Sequence, residues 1–333
     1  MRRLVCSIVF ILFSLHKDTS QASLSQNEAL FRIFIRKFNK TYAAGSDEYK
    51  RRLENFKDSL SRHKYLNDNR TFESAQFNIN RLSDLTPTEF SQLYLKFEPP
   101  DVFFFKADNA SKGSKMQSYP KTKDWRLSNA VTPVKNQKDC GACWAFSLVE
   151  TVESMNYIKH KNLEQLSVQQ VINCVPMENK CDGGDIFTAA QWLRTNRIPI
   201  VSENRYPLTD TSGVCDIMPQ SSEGITIRSA QKKSFILKES EMVRHLAQVG
   251  PLTVGVDGSL WQDYISGIIR WRCYNNINHA VQLVGYNTEG PVPYFIARNS
   301  WGTGWGMNGY VYIEMFKNMC GVASEVVEIL DVG

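Results

Sequence analysis

The sequence predicts an α+β body of two subdomains preceded by a separate helical block, and three observations predict it. Residues 24–97 repeat apolar side chains at helical spacing, residues 143–197 carry a second helical pattern, and from about residue 224 short β-branched and aromatic runs take over. A helical half followed by a strand-rich half places the default ligand site in the cleft between them.

At the N-terminus, Arg2 and Arg3 precede the apolar run Leu4 to Leu15, and Ser20-Gln21-Ala22 offers a small-x-small cleavage site. This is the layout of a secretory signal peptide over residues 1–22. The run is too short for a transmembrane helix, and no later segment approaches roughly 18 uninterrupted apolar residues, so no membrane span is expected once the signal is removed. The block that follows reads as two helices, LSQNEALFRIFIRKF with Leu30, Phe34 and Phe38, and SDEYKRRLENFKDSLSRHKYLN with Tyr49, Leu53, Phe56 and Leu60. Ser46 followed by Asp47 and Glu48 makes a good start for the second, the carboxylates sitting near the positive end of its dipole. From Lys106 to Ser118 the composition is that of an exposed linker. All three N-x-[ST] sequons, at Asn39, Asn69 and Asn109, precede or lie in this stretch, and no cysteine occurs from 23 to 139. Residues 23–118 therefore read as a pro-segment with its linker and residues 119–333 as the mature domain. Within that domain Phe146, Val149, Val152 and Ile158 mark one face of a helix opening at Cys143, and LSVQQVINC marks a shorter one. PLTVGV, HAVQLVGY, PYFIARN, GYVYIEM and VVEIL read as strands.

The chain has 333 residues, 42% hydrophobic and 22% charged, with net charge +5 and both signs interspersed. That supports a sizeable core and gives no basic stripe for nucleic acid. Eight cysteines become seven once the signal leaves with Cys6. In the oxidising compartment that secretion implies, an odd count leaves one thiol over.

The stretch QKDCGACW holds two cysteines two residues apart, and three chemistries compete for it. A zinc site needs a second pair of ligands at matching spacing, but Cys174 and Cys181 are the nearest and no C-x-x-C recurs. A redox dithiol needs a strand before it in a βαβ unit, whereas VTPVKNQKD is irregular and polar. A nucleophilic cysteine needs a base, a group that orients the base and donors for the oxyanion. Cys143 opens a helix whose dipole favours thiolate. Of five histidines, His16 falls in the signal, His63 in the pro-segment, His160 in a charged helix end and His245 in an amphipathic helix. His279 remains, just before the apolar strand AVQLVGY.

Together these residues resemble the papain-like cysteine proteases, the C1 family of papain and the cathepsins. CGACW fits the signature around their nucleophile, and His279 lies 136 residues beyond Cys143, within the roughly 130–150 that the family uses. DWRLSNAVTPVKNQ, CDGGD, NHAVQLVGY and ARNSWGTGWG match further family motifs in order, and SVQQVINC and SLWQDYISGII point to one branch of the cathepsins. The resemblance covers nearly the whole chain. It implies the papain-like fold, with a helical left domain, a β-barrel-like right domain and the active-site cleft between them. It also implies a cysteine endopeptidase without cofactor or metal, made as a zymogen for the lysosome or the exterior. Partners would be polypeptide substrates, its own pro-segment as intramolecular inhibitor, and cystatin-type inhibitors. Cys143 would be the nucleophile, His279 its base, Asn299 the group orienting the imidazole, and Gln137 an oxyanion donor beside the Cys143 N–H. Trp301 would shield the Asn–His bond at the edge of the substrate cleft. A catalytically silent homologue would be expected to lack one of these.

Among the six other cysteines fifteen pairings are possible, and the resemblance selects Cys140–Cys181, Cys174–Cys215 and Cys273–Cys320. It implies that Gly183 and Gly184 form the wall along which substrate backbone pairs. The pocket for the second residue before the cut would be lined by Ile186, Gly255, Ile277, Ala280 and Glu325, with Asp185 at its rim. Two carboxylates there lead to the expectation that arginine is accepted beside hydrophobic residues. The pro-segment keeps Glu48, Arg52, Phe56 and Asn67 of the family's helical pattern, but has Ser59 and His63 at two of its positions. Downstream, Asn80 and Asp84 fit a second motif in which Asn78 and Leu82 replace Gly and Phe.

Overall fold

The computed structural model describes residues 26–68, 73–99, 119–177, 179–209, 211–216, 223–271 and 273–333. The expected signal peptide, the linker, Asn69 and Asn109 lie outside the described residues. The pro-segment forms helix α1 over residues 26–37 and helix α2 over Asp47–Asn67, with Ser46 capping α2 by accepting the Tyr49 N–H. Phe31, Phe34, Tyr49 and Phe56 interlock as its own small apolar core. Helix α3, Pro87–Tyr94, starts with a reciprocal capping box between Thr86 and Glu89. Arg52 ties α2 to α3 by reaching Glu89 at 3.0 Å. Between them strand β1, Gln76–Phe77, pairs antiparallel with β5, Tyr264–Ser266, so the N-terminal block adds a strand to the body that follows it.

The body is built around helix α4, Cys143–His160, which is buried continuously from Cys143 to Asn156. The sequence marked one apolar face, but the helix is enclosed nearly all round. Small or neutral residues such as Ala145, Ser147, Thr151 and Ser154 sit where a surface helix would carry charge. Its hydroxyl side chains are satisfied internally: Thr151 hydrogen-bonds Thr253, and the Ser154 and Thr151 hydroxyls donate back to the carbonyls of Glu150 and Ser147. Glu150 is paired with the fully buried Arg298. On one side of α4 lie helices α5, Val168–Cys174, and α6, Ile186–Thr195.

On the other side is an eight-stranded sheet. In chain order its strands are β2 (Thr122–Asp124), β3 (Ile227–Lys233), β4 (Leu252–Val256), β6 (Ile268–Ile269), β7 (His279–Asn287), β8 (Tyr294–Arg298), β9 (Tyr310–Glu314) and β10 (Glu325–Val332), with α7, Glu239–Gln248, crossing between β3 and β4. The order is β3-β10-β4-β7-β8-β9-β6, with β2 added on β7. Pairing is antiparallel except between β6 and β9. No pairing among the described strands closes this path into a ring. Each predicted strand run falls on one of these elements. β4 and β7 are buried along almost their whole length, which is why HAVQLVGY reads as a continuous apolar run and does not alternate.

The three disulfides are Cys140–Cys181, Cys174–Cys215 and Cys273–Cys320, and Cys143 is the free cysteine among the described residues. Asn39 is exposed in the turn after α1.

Candidate active site

The two halves meet where the N-terminus of α4 faces the start of β7. Cys143 is the first residue of α4, and Ala142 before it offers no capping side chain. The first-turn N–H groups therefore point at the cleft without an internal acceptor, which favours negative charge on the Cys143 sulfur. His279 opens β7 beside Val256 of β4. Its Nε2 lies 2.7 Å from Asn299 Oδ1, and Asn299 follows directly after β8. Trp301 packs over the imidazole at 4.7 Å between centroids, and Trp261 meets it edge-on at 6.1 Å. Gln137 is fully buried; its Nε2 donates to the Cys140 carbonyl at 3.2 Å. The structure thus brings Gln137, Cys143, His279, Asn299 and Trp301 into one place.

A residue absent from the sequence reading organises the group. Ser300 donates its hydroxyl to Gln137 Oε1 at 2.6 Å, accepts the Gln137 N–H at 2.8 Å on its carbonyl, and donates its own N–H to Asn299 Oδ1. Three successive residues, 299–301, therefore orient the imidazole, anchor the glutamine and shield the pair. Only adjacency to Asn299 marks Ser300 in the sequence.

Over this site lies the pro-segment. Residues 95–98 run extended through the cleft, with the Phe97 N–H donating to Asn278 O at 3.0 Å, the Glu98 N–H to Gly184 O at 3.2 Å and the Gly184 N–H to Lys96 O at 3.3 Å. The Phe97–Gly184 bridge is parallel. Such close approach requires glycine: a Cβ on Gly184 would fall 2.6 Å from the Trp144 ring, and one on Gly183 would meet Glu98 and the Lys96 carbonyl at 3.1 Å. Burial under this strap sets the charge state of the pair. It pushes the Cys143 thiol up to about 11, against N–H groups of Ala280, Lys96 and Trp144 that face the sulfur. It pushes His279 down to about 4, against the Asn299 and Tyr94 oxygens that favour the cation. Strapped, the pair is held neutral.

The expected specificity pocket is occupied. The Phe97 ring lies where a Cβ on Gly255 would be, 2.6 Å from its Cε1, with Ile277 and Glu325 at 2.7 and 3.0 Å from the same point. Ile186 and Ala280 belong to the same apolar cluster as Phe97. Asp185 is not a free rim carboxylate; it is buried and caps α6 by accepting the Thr188 N–H at 2.7 Å. Glu325 is ion-paired to Lys232, which no sequence signal connects with it.

Comparison with known proteins agrees with this geometry. Residues 119–330 match the family described as papain family cysteine protease, and residues 31–90 match the cathepsin propeptide inhibitor domain. Cathepsin O of Homo sapiens is 41% identical over 277 residues, covering 82% of this chain and 86% of the relative. Cathepsin O of Mus musculus is 38% identical over 283 residues, covering 84% and 90%. These are the branch to which SVQQVINC and SLWQDYISGII pointed. Among solved structures, the recombinant stem bromelain precursor superposes with a TM-score of 0.78 at 32% identity, covering 91% of this chain and 98% of that one.

Proposed function

The chain belongs to the papain family of cysteine proteases and carries a cathepsin propeptide, and from that premise we propose that it is a latent endopeptidase whose chemistry is carried by Cys143 and His279. It is cathepsin O-like in sequence. The observation that carries the assignment of roles is the Asn299–His279 contact at 2.7 Å beside the uncapped helix start at Cys143.

Once the strap leaves and water reaches the pair, the thiol proton passes to His279 Nδ1, the ring nitrogen that Asn299 does not hold. The thiolate attacks the scissile carbonyl carbon, and the C=O electron pair moves onto oxygen. The Cys143 N–H and the amide hydrogen of Gln137 that Cys140 does not use receive that charge. The imidazolium gives its proton to the departing amine as the C–N bond breaks and a thioester forms. Water then attacks the thioester as His279 takes its proton, releasing the acid and returning the thiol. Asn299 and the two tryptophans hold the ring for both proton transfers.

Residues 1–22 act as a signal for the secretory pathway and residues 23–118 as a removable inhibitor, which fits an enzyme of lysosomes or of the exterior. No helix among the described residues is long and apolar enough to cross a membrane. Cystatin-type inhibitors would compete for the same cleft. The deciding experiment is labelling of the acid-processed protein with an epoxide thiol trap and peptide mass mapping. Modification confined to Cys143, with loss of peptide cleavage, is expected. Processed, folded protein that neither cleaves peptides nor takes the label would show a silent homologue.

A further inference from the structure

The pocket that holds Phe97 contains a charge pair for which the reaction has no use. The strand register places Ala280 of β7 beside Gly255 of β4, and Gly255 beside Glu325 of β10, so the three make one row under the Phe97 ring. Glu325 is not a free carboxylate. Lys232, from β3 on the far side of β10, brings its Nζ to 2.5 Å from Glu325 Oε2, with the side chains only 13% and 11% exposed. Burial raises the Glu325 carboxyl, and Lys232 works against that shift by favouring the ionised form. The other charged group facing the pair is Asp185, whose carboxylate is engaged at the start of α6.

We propose that Lys232 is a specificity-determining residue: it engages Glu325 and so makes the floor of this pocket select an uncharged aromatic or aliphatic side chain over arginine. The proposal rests on the protease reading above and names the substrate class of that same cleft. A guanidinium recognises a carboxylate best through two parallel hydrogen bonds, which need both oxygens and no competing cation. Here one oxygen is held by an ammonium, and an entering arginine would set two cations side by side in a half-desolvated pocket. Phe97 shows the favoured occupant, a ring that is 4% exposed in this seat and makes no polar demand. The expectation of arginine acceptance came from Glu325 and Asp185 alone. Lys232 neutralises the first and the helix cap engages the second.

The test uses the processed enzyme and two fluorogenic peptides that differ only in Phe or Arg at the second residue before the cut. Wild type should prefer Phe. Lys232→Met should raise the Arg-to-Phe ratio of kcat/KM by about tenfold or more, mainly through a lower KM for the Arg peptide, while Lys232→Arg keeps the wild-type ratio. Adding Glu325→Gln to Lys232→Met should abolish the gain. A ratio unmoved by Lys232→Met, or an equal loss on both peptides, overturns the proposal and leaves the pair a strand-to-strand brace. Should Lys232→Met not fold, Glu325→Gln alone decides: the freed lysine should depress the ratio further, and an unchanged ratio overturns the proposal. Wild type that cleaves neither peptide and takes no thiol label at Cys143 would instead sink the protease reading itself.

Discussion

Of the places where the pro-segment meets the peptidase body, two are made of opposite materials. At Asp263, 1% exposed, the contact is charge: Arg62 Nε approaches at 2.6 Å, His63 Nε2 at 3.0 Å, and the Ser59 and Ser83 hydroxyls at 3.3 and 3.1 Å, all four from the pro-segment. In the cleft the contact is backbone hydrogen bonds and a buried phenyl ring over a neutral Cys–His pair. The difference matters because acid acts on them in different ranges. Burial would raise the Asp263 carboxyl, but the His63 and Arg62 contacts outweigh it and hold the group below its ordinary 3.8. A depressed carboxyl contributes fully above its ordinary value and is lost only as pH falls through the lower one, so this clasp survives mild acid. The strap depresses a base. For the His279 ring by itself, as in a Cys143→Ala chain, docking is unhindered above pH 6.5 and weakens as pH falls from 6.5 toward about 4, because protonation of His279 favours the open cleft. In that chain mild acid should therefore loosen the pro-segment first at His279 and leave it tethered at Asp263.

The change with the largest expected effect breaks the clasp. Asp263→Asn leaves Arg62 and His63 facing a neutral amide, and removing one partner of a buried ion pair costs about 3–5 kcal/mol. The unprocessed chain should then cleave peptides at neutral pH, where wild type is latent. The processed enzyme, which has already lost all four contacts, should keep its wild-type kinetics. Full latency in the Asp263→Asn chain would mean that the strap alone is sufficient.

Next in size is the pH response of the strap. The displacement of His279 from 6.5 to about 4 corresponds to ~3 kcal/mol of docking free energy surrendered across that range. Titration of the His279 ring by NMR in an unprocessed Cys143→Ala chain is the direct check. A midpoint near 4 is expected, moving up toward the ordinary value when the pro-segment is cut away. A midpoint near 6.5 in the intact zymogen would mean that acid release starts elsewhere.

The same contrast explains how much was legible in the sequence. That these residues meet was readable because local motifs carry the candidate site: Cys143 at a helix start, His279 at the head of an apolar strand and Asn299 and Trp301 in one tight run. Five of the ten described strands, β4 and β7–β10, were readable, most plainly β4 and β7, whose burial on both faces leaves unbroken apolar runs; β3, IRSAQKK, and the two- and three-residue strands carry no such run. What stayed hidden is made by residues that meet only after folding. Nothing local in Ser59, His63 or Arg62 announces Asp263, some 200 positions on, and nothing near Lys232 announces Glu325. Charges that pair across strands or across the pro-segment interface have no periodicity, so the specificity floor was read with one partner missing. The helix face at Phe146 was read too narrowly for a related reason, since enclosure by a sheet and two helices is a tertiary fact.

The smallest effect sharpens the comparison by touching neither grip. Ser300→Ala removes the hydroxyl that holds Gln137 Oε1 at 2.6 Å but keeps the one backbone bond between the two residues, Gln137 N–H to Ser300 O. The glutamine stays near its place and loses only its fixed orientation. One such hydrogen bond is worth about 1 kcal/mol, so kcat should fall roughly tenfold or less, with KM nearly unchanged. Deleting the donor itself with Gln137→Ala should cost about 10²–10³ in kcat. Latency and the pH at which the strap loosens should be those of wild type, because Ser300 bonds to neither Asp263 nor the Phe97 pocket. A Ser300→Ala enzyme with normal kcat but easier activation would reverse the assignment: Ser300 would then serve the grip on the pro-segment, which Trp301 already contacts through Arg81, Phe90 and Tyr94, and the orientation of Gln137 would be irrelevant to the chemistry.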